Sequence, residues 1–344
     1  MGKNKTLCIG NKTASLEVNP EGGAITDFHL TKNKINPLSF AFTKEQMPQN
    51  NKAGAPYRGH FICCPYWGLP SAGEIKKGFP NHGAFANMKW QIKKKTGHFV
   101  AMKAGSKKEG LSLKRKISIS TESAIIKVEE EIKNINSFSR LYNIVQHPTL
   151  AMPFLDNSIL IHSNATVGFN QAHYKNAEKQ KTIWPFVKDE KEKEFNITKP
   201  STAANGVYSF IINPAEKFGW ITAYSAKNNL LFGYIFERAD YPWINIWKHG
   251  VAGKVQYLGI EFGTTGIHQP FDEIIKSSPK LFNENCISVI DADETIKKKY
   301  WSFLIETGEK IKLIKSVLLN PVLNCVTITT DESLYIIQKA MYKH

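Results

Sequence analysis

Period-two alternation of apolar and polar side chains, repeated along the chain, constrains the fold more than any other feature. From Leu111 to Ile119 the odd positions are Leu111, Leu113, Arg115, Ile117 and Ile119, and the even ones Ser112, Lys114, Lys116 and Ser118. The next segment repeats the device, with Ile126, Val128 and Ile132 against Lys127, Glu129, Glu131 and Lys133. Successive side chains of an extended strand point to opposite faces, so each run reads as a half-buried strand. Similar runs occupy Leu16–Val18, Val207–Ile212, Leu230–Phe236, Val255–Phe262 and Thr295–Ile305. Turn residues punctuate them at Asn19-Pro20-Glu21-Gly22-Gly23, Asn213-Pro214 and Lys248-His249-Gly250. Many strands, polar turns and few helical periods predict an all-β fold, a large antiparallel sandwich or barrel.

The pattern changes after Gly308. Glu309 to Leu319 predicts a short amphipathic helix with Ile311, Ile314 and Leu318 on one side, and Cys325 to Tyr342 fits a hairpin or a strand followed by a helix. No linker divides the chain. The expected organisation is one sandwich domain over residues 1–308, with a small C-terminal extension, 309–344, packed on it. The charged run from Lys188 to Glu194 reads as a solvated loop.

Composition excludes several functions. No run of about eighteen apolar residues suits a membrane helix, and Met1 to Gly10 lacks the apolar stretch of a secretory signal. A cytoplasmic protein with no membrane partner is expected. The opening Met1-Gly2-Lys3-Asn4-Lys5-Thr6 fits the loose N-myristoylation pattern, which is too common to carry an assignment. Cys8, Cys63, Cys64, Cys286 and Cys325 form no paired zinc spacing and read as reduced thiols, with Cys63 and Cys64 on opposite strand faces. The net charge of +15 invites a nucleic-acid reading. Against it, only Arg58, Arg115, Arg140 and Arg238 of 45 basic residues are arginine, and the lysine clusters fall in alternating, solvent-facing patterns. No nucleic-acid partner is expected, although the charge could attract an anionic sugar.

Several polar residues sit in unusual settings. His82 is followed by Gly83, which opens space beside the ring, and His147 is held extended by Pro148. His60 precedes the apolar Phe61-Ile62-Cys63-Cys64. Glu261 lies within Tyr257-Leu258-Gly259-Ile260-Glu261-Phe262-Gly263, an apolar strand in which a carboxylate needs a partner, either a ligand or an arginine. No H-x-H or H-E-x-x-H spacing points to a metal.

These segments resemble, in order, motifs of the aldose 1-epimerase (galactose mutarotase) superfamily, closest to its hexose-6-phosphate epimerase branch. Arg58-Gly59-His60 through Pro65-Tyr66-Trp67-Gly68 is similar to R-G-G-x-P-x-x-x-P-x-[FW]-G, and His82-Gly83-Ala84-Phe85-Ala86-Asn87-Met88-Lys89-Trp90 to H-G-F-A-R-N-x-x-W. Gln146-His147 resembles the family's strand-opening histidine, and Leu258-Gly259-Ile260-Glu261 the strand that carries its essential Glu. Leu16 to Ile25 fits the opening hairpin. The likeness spans roughly residues 10 to 305. It departs at Ala86 in place of Arg, at His60 in place of Gly, and at Pro148-Thr149-Leu150 in place of T-Y-F.

The resemblance implies a galactose mutarotase-like supersandwich and an isomerase interconverting the α and β anomers of a sugar or sugar phosphate. Glu261 would be the general base and His147 the general acid. His82, Arg58, Trp67 and Asn87 would bind substrate, and Tyr66, Trp184 and Trp243 join Trp67 as candidates to stack on a sugar face. No metal or organic cofactor is implied. The competing readings are a non-catalytic carbohydrate-binding sandwich, another glycan-active enzyme on the same fold, and a basic nucleic-acid binder. A hydrolase would ordinarily want two facing carboxylates.

Overall fold

In the computed structural model the alternating segments become the strands of two large antiparallel sheets; the structure describes all residues except 1–5, 321–324, 333–334, 340–341 and 343–344. The first sheet has ten strands, ordered Leu7–Gly10, Ala14–Asn19, Ala24–Leu30, His60–Cys63, Val145–Leu150, Lys254–Gly263, Trp243–Val251, Gly206–Ile212, Ala165–Asn170, Thr182–Ile183. The second has eight, ordered Leu160–Ser163, Phe218–Ser225, Leu230–Glu237, Thr295–Glu306, Ile125–Asn134, Leu111–Ile119, Phe99–Ser106, Gln91–Lys95. Inward-facing residues of both fill one continuous core, among them Leu16, Ile62, Leu113, Val128, Phe232, Ile260 and Phe262. Face-to-face packing of two such sheets is a sandwich, one of the two architectures that the alternation left open and the one that the resemblance implied. Among the described residues no helix is long and apolar enough to cross a membrane. The Met1–Thr6 pattern lies almost wholly outside the described residues.

Most lysines of the eight-stranded sheet face outward, as their parity predicts, and those of its middle strands lie beside glutamates, whereas Lys298 takes the inward parity in register with Glu130 and is nearly buried. Lys114 pairs in register with Glu131, which pairs in turn with Lys297; Lys116, Glu129 and Lys299 form the next row. Lys114 Nζ lies 2.9 Å from Glu131, and Lys299 Nζ 2.9 Å from Glu237. Cross-strand opposite charges stabilise such a face modestly, and here they neutralise two of the three lysine clusters locally.

Two local expectations are corrected. Lys248-His249-Gly250 is not a turn: the strand Trp243–Val251 runs through it, with a bulge between His249 and Gly250, and reverses at Ala252-Gly253. Nor is Glu309–Leu319 a helix. Ile314–Asn320 is a strand, forming a three-stranded sheet with Cys325–Thr330 and Tyr335–Lys339. A bulge between Ile314 and Ser316 inserts one residue, so the buried Ile314 and Val317 stand three apart and imitate helical spacing, while Leu318 is exposed. Ile311, Ile314, Val317, Leu319, Val326 and Ile328 pack on Trp220, Tyr224, Leu231 and Phe303 of the eight-stranded sheet. The tail Cys325–Tyr342 begins as a hairpin; residues 340–341 lie outside the described residues. Lys188 to Glu194 is the tip of the hairpin Phe186–Lys188/Glu194–Asn196.

Candidate active site

Strand register builds the site. In the ten-stranded sheet His147 pairs with Phe61, and the pairings Gln146 with Phe262 and Thr149 with Gly259 set His147 directly opposite Glu261. Glu261 pairs with Asn245, and Asn245 with Ser209. Directly opposed residues share a face. Phe61, His147, Glu261, Asn245 and Ser209 therefore form one row across five strands, on the face turned away from the second sheet.

The row ends in a cavity of about 210 Å³, lined by Phe40, Phe42, Pro48, Tyr57, Phe61, Trp67, His82, His147, Val207, Trp247, Glu261 and His268. That equals about seven waters at ~30 Å³ each, room for one small ring. His147 Nε2 lies 3.2 Å from Glu261 Oε1, and both side chains are almost fully buried. Phe61 stacks on the His147 ring at 4.4 Å and on Tyr57 at 4.6 Å, so three parallel rings fix the imidazole plane. His147 Nδ1 lies 3.0 Å from Thr149 Oγ1.

Among the described residues neither carboxylate oxygen of Glu261 has a partner in hydrogen-bond geometry. Burial pushes its carboxyl well above the usual carboxylate range, tempered by the nearby Trp67 indole. Burial also drives His147 down to about 3, with a backbone hydrogen bond opposing and neighbouring His268 adding to the shift. His268 falls to about 4 by burial, and His82 falls well below the usual range through burial and the two neighbouring imidazoles. All favour neutral groups, because burial disfavours the charged form.

His82 is positioned by its own backbone. It has φ +59°, a left-handed conformation rare for a side-chain-bearing residue and common at functional sites. Its N–H donates to Gly68 O, and its carbonyl accepts from Cys64 N–H. Gly68 N–H donates to its Nδ1, which leaves Nε2 as the protonated, donating nitrogen. Gly83 has φ +76°, and a Cβ there would stand 1.7 Å from Cys64 O, so glycine is required.

Of the residues singled out in the sequence, His147, Glu261, His82 and Trp67 meet in this cavity. Arg58 does not: it is exposed on the segment before His60–Cys63 and does not line the cavity. Asn87 does not either. Its amide accepts from Asn51 Nδ2 and donates to Ala55 O at 2.7 Å, bracing the loop that carries Tyr57. His60 points to the opposite face, into the core. Among the stacking candidates, Tyr66 and Trp243 are buried away from the cavity and Trp184 packs on Phe210. Sequence reasoning missed His268 and Trp247. His268 follows Gly266 closely in the loop after the Glu261 strand, and Trp247 lies one residue before the supposed turn. Among the described residues no group of three or more His, Cys, Asp or Glu is arranged to hold a metal ion.

No protein-family model matches the chain, and no curated protein matches it significantly. Solved structures do match. A galactose mutarotase related enzyme from Lactobacillus acidophilus superposes with a TM-score of 0.63 at 12% identity, over 90% of this chain and 100% of that one. A candidate aldose 1-epimerase from Klebsiella pneumoniae gives 0.62 at 13% identity, over 89% and 82%. A galactose mutarotase-like protein from Clostridium acetobutylicum gives 0.60 at 15% identity, over 88% and 96%. At these identities the likeness speaks to architecture, and on that evidence the chain has the galactose mutarotase-like β-sandwich fold.

Proposed function

We propose that this protein is an aldose 1-epimerase-like isomerase, interconverting sugar anomers by acid–base ring opening and closure. One observation carries the reading: an imidazole and a carboxyl group face each other at 3.2 Å inside a buried, ring-sized, largely aromatic cavity. Glu261 takes the proton from the C1 hydroxyl and His147 gives one to the ring oxygen. The C1–O5 bond breaks, the C1 carbonyl forms, rotation about C1–C2 follows, and the reverse transfers close the other anomer.

The protonation states fit this cycle. Burial favours neutral groups, so the resting pair keeps its one proton on Glu261. A sugar hydroxyl donating to the carboxylate stabilises its ionised form. The proton then passes to His147, giving the base and the acid without exchange with water. Each positioned transfer contributes on the order of 10²–10⁴-fold. His82, with Nε2–H free to donate, holds a sugar oxygen, and Trp67 forms a wall. Glu261 is the only carboxylate among the lining residues, which argues against a two-carboxylate hydrolase.

The test is anomer-exchange NMR over a panel of aldoses. Acceleration of at least one sugar is expected, lost in Glu261→Gln and in His147→Asn. If no sugar is accelerated, or if both variants match the parent, the assignment fails.

A further inference from the structure

The cavity takes one ring, but its aromatic lining does not stop at its rim. Its lining aromatics Phe42 and Trp247 are partly exposed. Beside Trp247, His249 and Tyr257 complete a compact triangle of near-parallel rings on the same face of the sheet. Trp247 and Tyr257 lie 6.2 Å apart at 25°, His249 and Tyr257 5.8 Å apart at 15°, and Trp247 and His249 6.2 Å apart at 29°. All three are partly exposed.

The local sequence explains the triangle. Trp247 and His249 are two apart on one strand and so share a face, and His249 pairs in register with Tyr257. Trp247 pairs with Gly259, which has no side chain to fill the gap. A Cβ at Gly259 would stand 2.7 Å from Glu261 Oε1 and 3.1 Å from Trp247 Cβ. The close approach of Glu261 and Trp247 to this position therefore depends on glycine. Phe40 and Phe42 meet Tyr257 edge-on at 5.0 and 5.9 Å and brace it.

Charge narrows what could lie there. The protein carries a net charge of +15, yet among the described residues no Lys or Arg lines the cavity. A phosphate would find no fork or ammonium to hold it. The C–H-bearing face of a sugar ring packs well on flat aromatic groups, and ligand sites are typically apolar with a few placed polar groups.

We propose that Trp247, Tyr257 and His249 form a second subsite for the next ring of an uncharged reducing disaccharide, whose reducing-end ring enters the Glu261–His147 cavity. This rests on reading that cavity as a sugar site. The subsite makes the protein prefer the reducing ends of neutral glycans over free monosaccharides and over phosphosugars.

Binding and catalysis are measured separately on the full chain. Ligand-observed NMR gives affinities for glucose, galactose, glucose 6-phosphate, maltose, cellobiose and lactose, and exchange NMR on the same samples gives anomerisation rates. At least one disaccharide is expected to bind more tightly than its monosaccharide, by roughly three- to tenfold as one aromatic contact provides. Tyr257→Ala and His249→Ala should each remove most of that surplus, lowering the disaccharide-to-monosaccharide ratio. Circular dichroism and unfolding of both variants check that the fold is retained. A surplus that survives both substitutions, no surplus for any disaccharide, or tighter binding of glucose 6-phosphate than of glucose overturns the proposal. Disaccharide preference with no accelerated exchange would sink the acid–base reading and leave the subsite standing.

Discussion

The strand Val145–Leu150 carries two polar clusters, one on each face, and they differ in how completely they are satisfied. Gln146 points between the sheets. There Arg115 Nε donates to Glu130 Oε1 at 2.7 Å, Arg115 Nη1 to Gly23 O at 2.7 Å, and Gln146 Nε2 to Glu130 Oε2 at 2.8 Å. His60 Nε2 lies 3.1 Å from Gln146 Oε1, and its Nδ1 3.0 Å from the Tyr234 hydroxyl. His147, one residue on, points the other way, toward an open cavity and a carboxylate that has no hydrogen-bonded partner among the described residues. Both clusters are buried and both contain a histidine. The closed one holds two sheets together; the open one has unmet polar capacity that a ligand can satisfy. Burial alone does not separate a structural network from a working one, whereas the hydrogen-bond inventory does.

The sharpest way to break this contrast is substitution on each side. Glu261→Gln should slow anomer exchange by about 10²–10⁴-fold while moving stability by less than about 1 kcal/mol, since no formed hydrogen bond is lost. Denaturant unfolding beside exchange NMR reads both; a large stability loss would make Glu261 a structural residue. Arg115→Ala should do the reverse, costing about 3–5 kcal/mol because Glu130 is left buried and uncompensated. Removing Glu130 as well should recover part of that loss. Additive losses in the double variant would show that the interior network is not a unit.

Acid tests the histidines on both sides of the sheets. His147 at about 3, His268 at about 4, and His162 at about 4 on the edge strand Leu160–Ser163 of the eight-stranded sheet are depressed in the fold chiefly by burial. The unfolded chain binds protons at these positions from about pH 6.5 downward. Their stability contribution is therefore intact above that pH and falls as pH drops toward 4, by up to about 1.4 kcal/mol per pH unit for each histidine. His60 and His82, also depressed by burial, add to this decline, while Glu261, Glu109, Asp27 and Asp240, raised in the fold by burial, run the other way, four groups against five. Unfolding midpoints between pH 7 and 4 should decline; a flat profile would mean that these imidazoles are charged in the fold. The smallest effect is expected at Arg58. Exposed and away from the cavity, Arg58→Ala should change stability by less than about 0.5 kcal/mol and exchange by less than twofold. A larger loss of exchange would return Arg58 to the site.

Much of the architecture was legible because a strand announces itself locally. Leu111–Ile119 and Ile125–Asn134 coincide with the alternating runs almost residue for residue. The misreadings came where an extra residue shifts the parity, at the bulges near His249 and Ser316. The site was legible in part. Glu261 stood out as a charge in an apolar strand, and His82 by the glycine after it. Arg58 and Asn87 were carried in by motif position, and the loops before and after the His60 strand turn them elsewhere. The exceptions Arg115 and Glu130, each on the apolar parity of its strand, were visible singly, but only their register pairing shows that they meet.

By itself the sequence determined which residues lie on the same face of each strand, because side-chain direction alternates with a period fixed by backbone geometry. It thereby determined an all-β fold, the outward face of most lysines, and the opposition of Gln146 to His147. Tertiary structure decided which strands are neighbours and in what register. Those choices set His147 against Glu261, brought His268 and Trp247 to the cavity, and closed Arg115 onto Glu130. Strand pairing joins residues from fifteen positions apart, as Arg115 and Glu130, to more than a hundred, as His147 and Glu261, through backbone hydrogen bonds that are the same for every residue type, so it leaves no local mark on the chain.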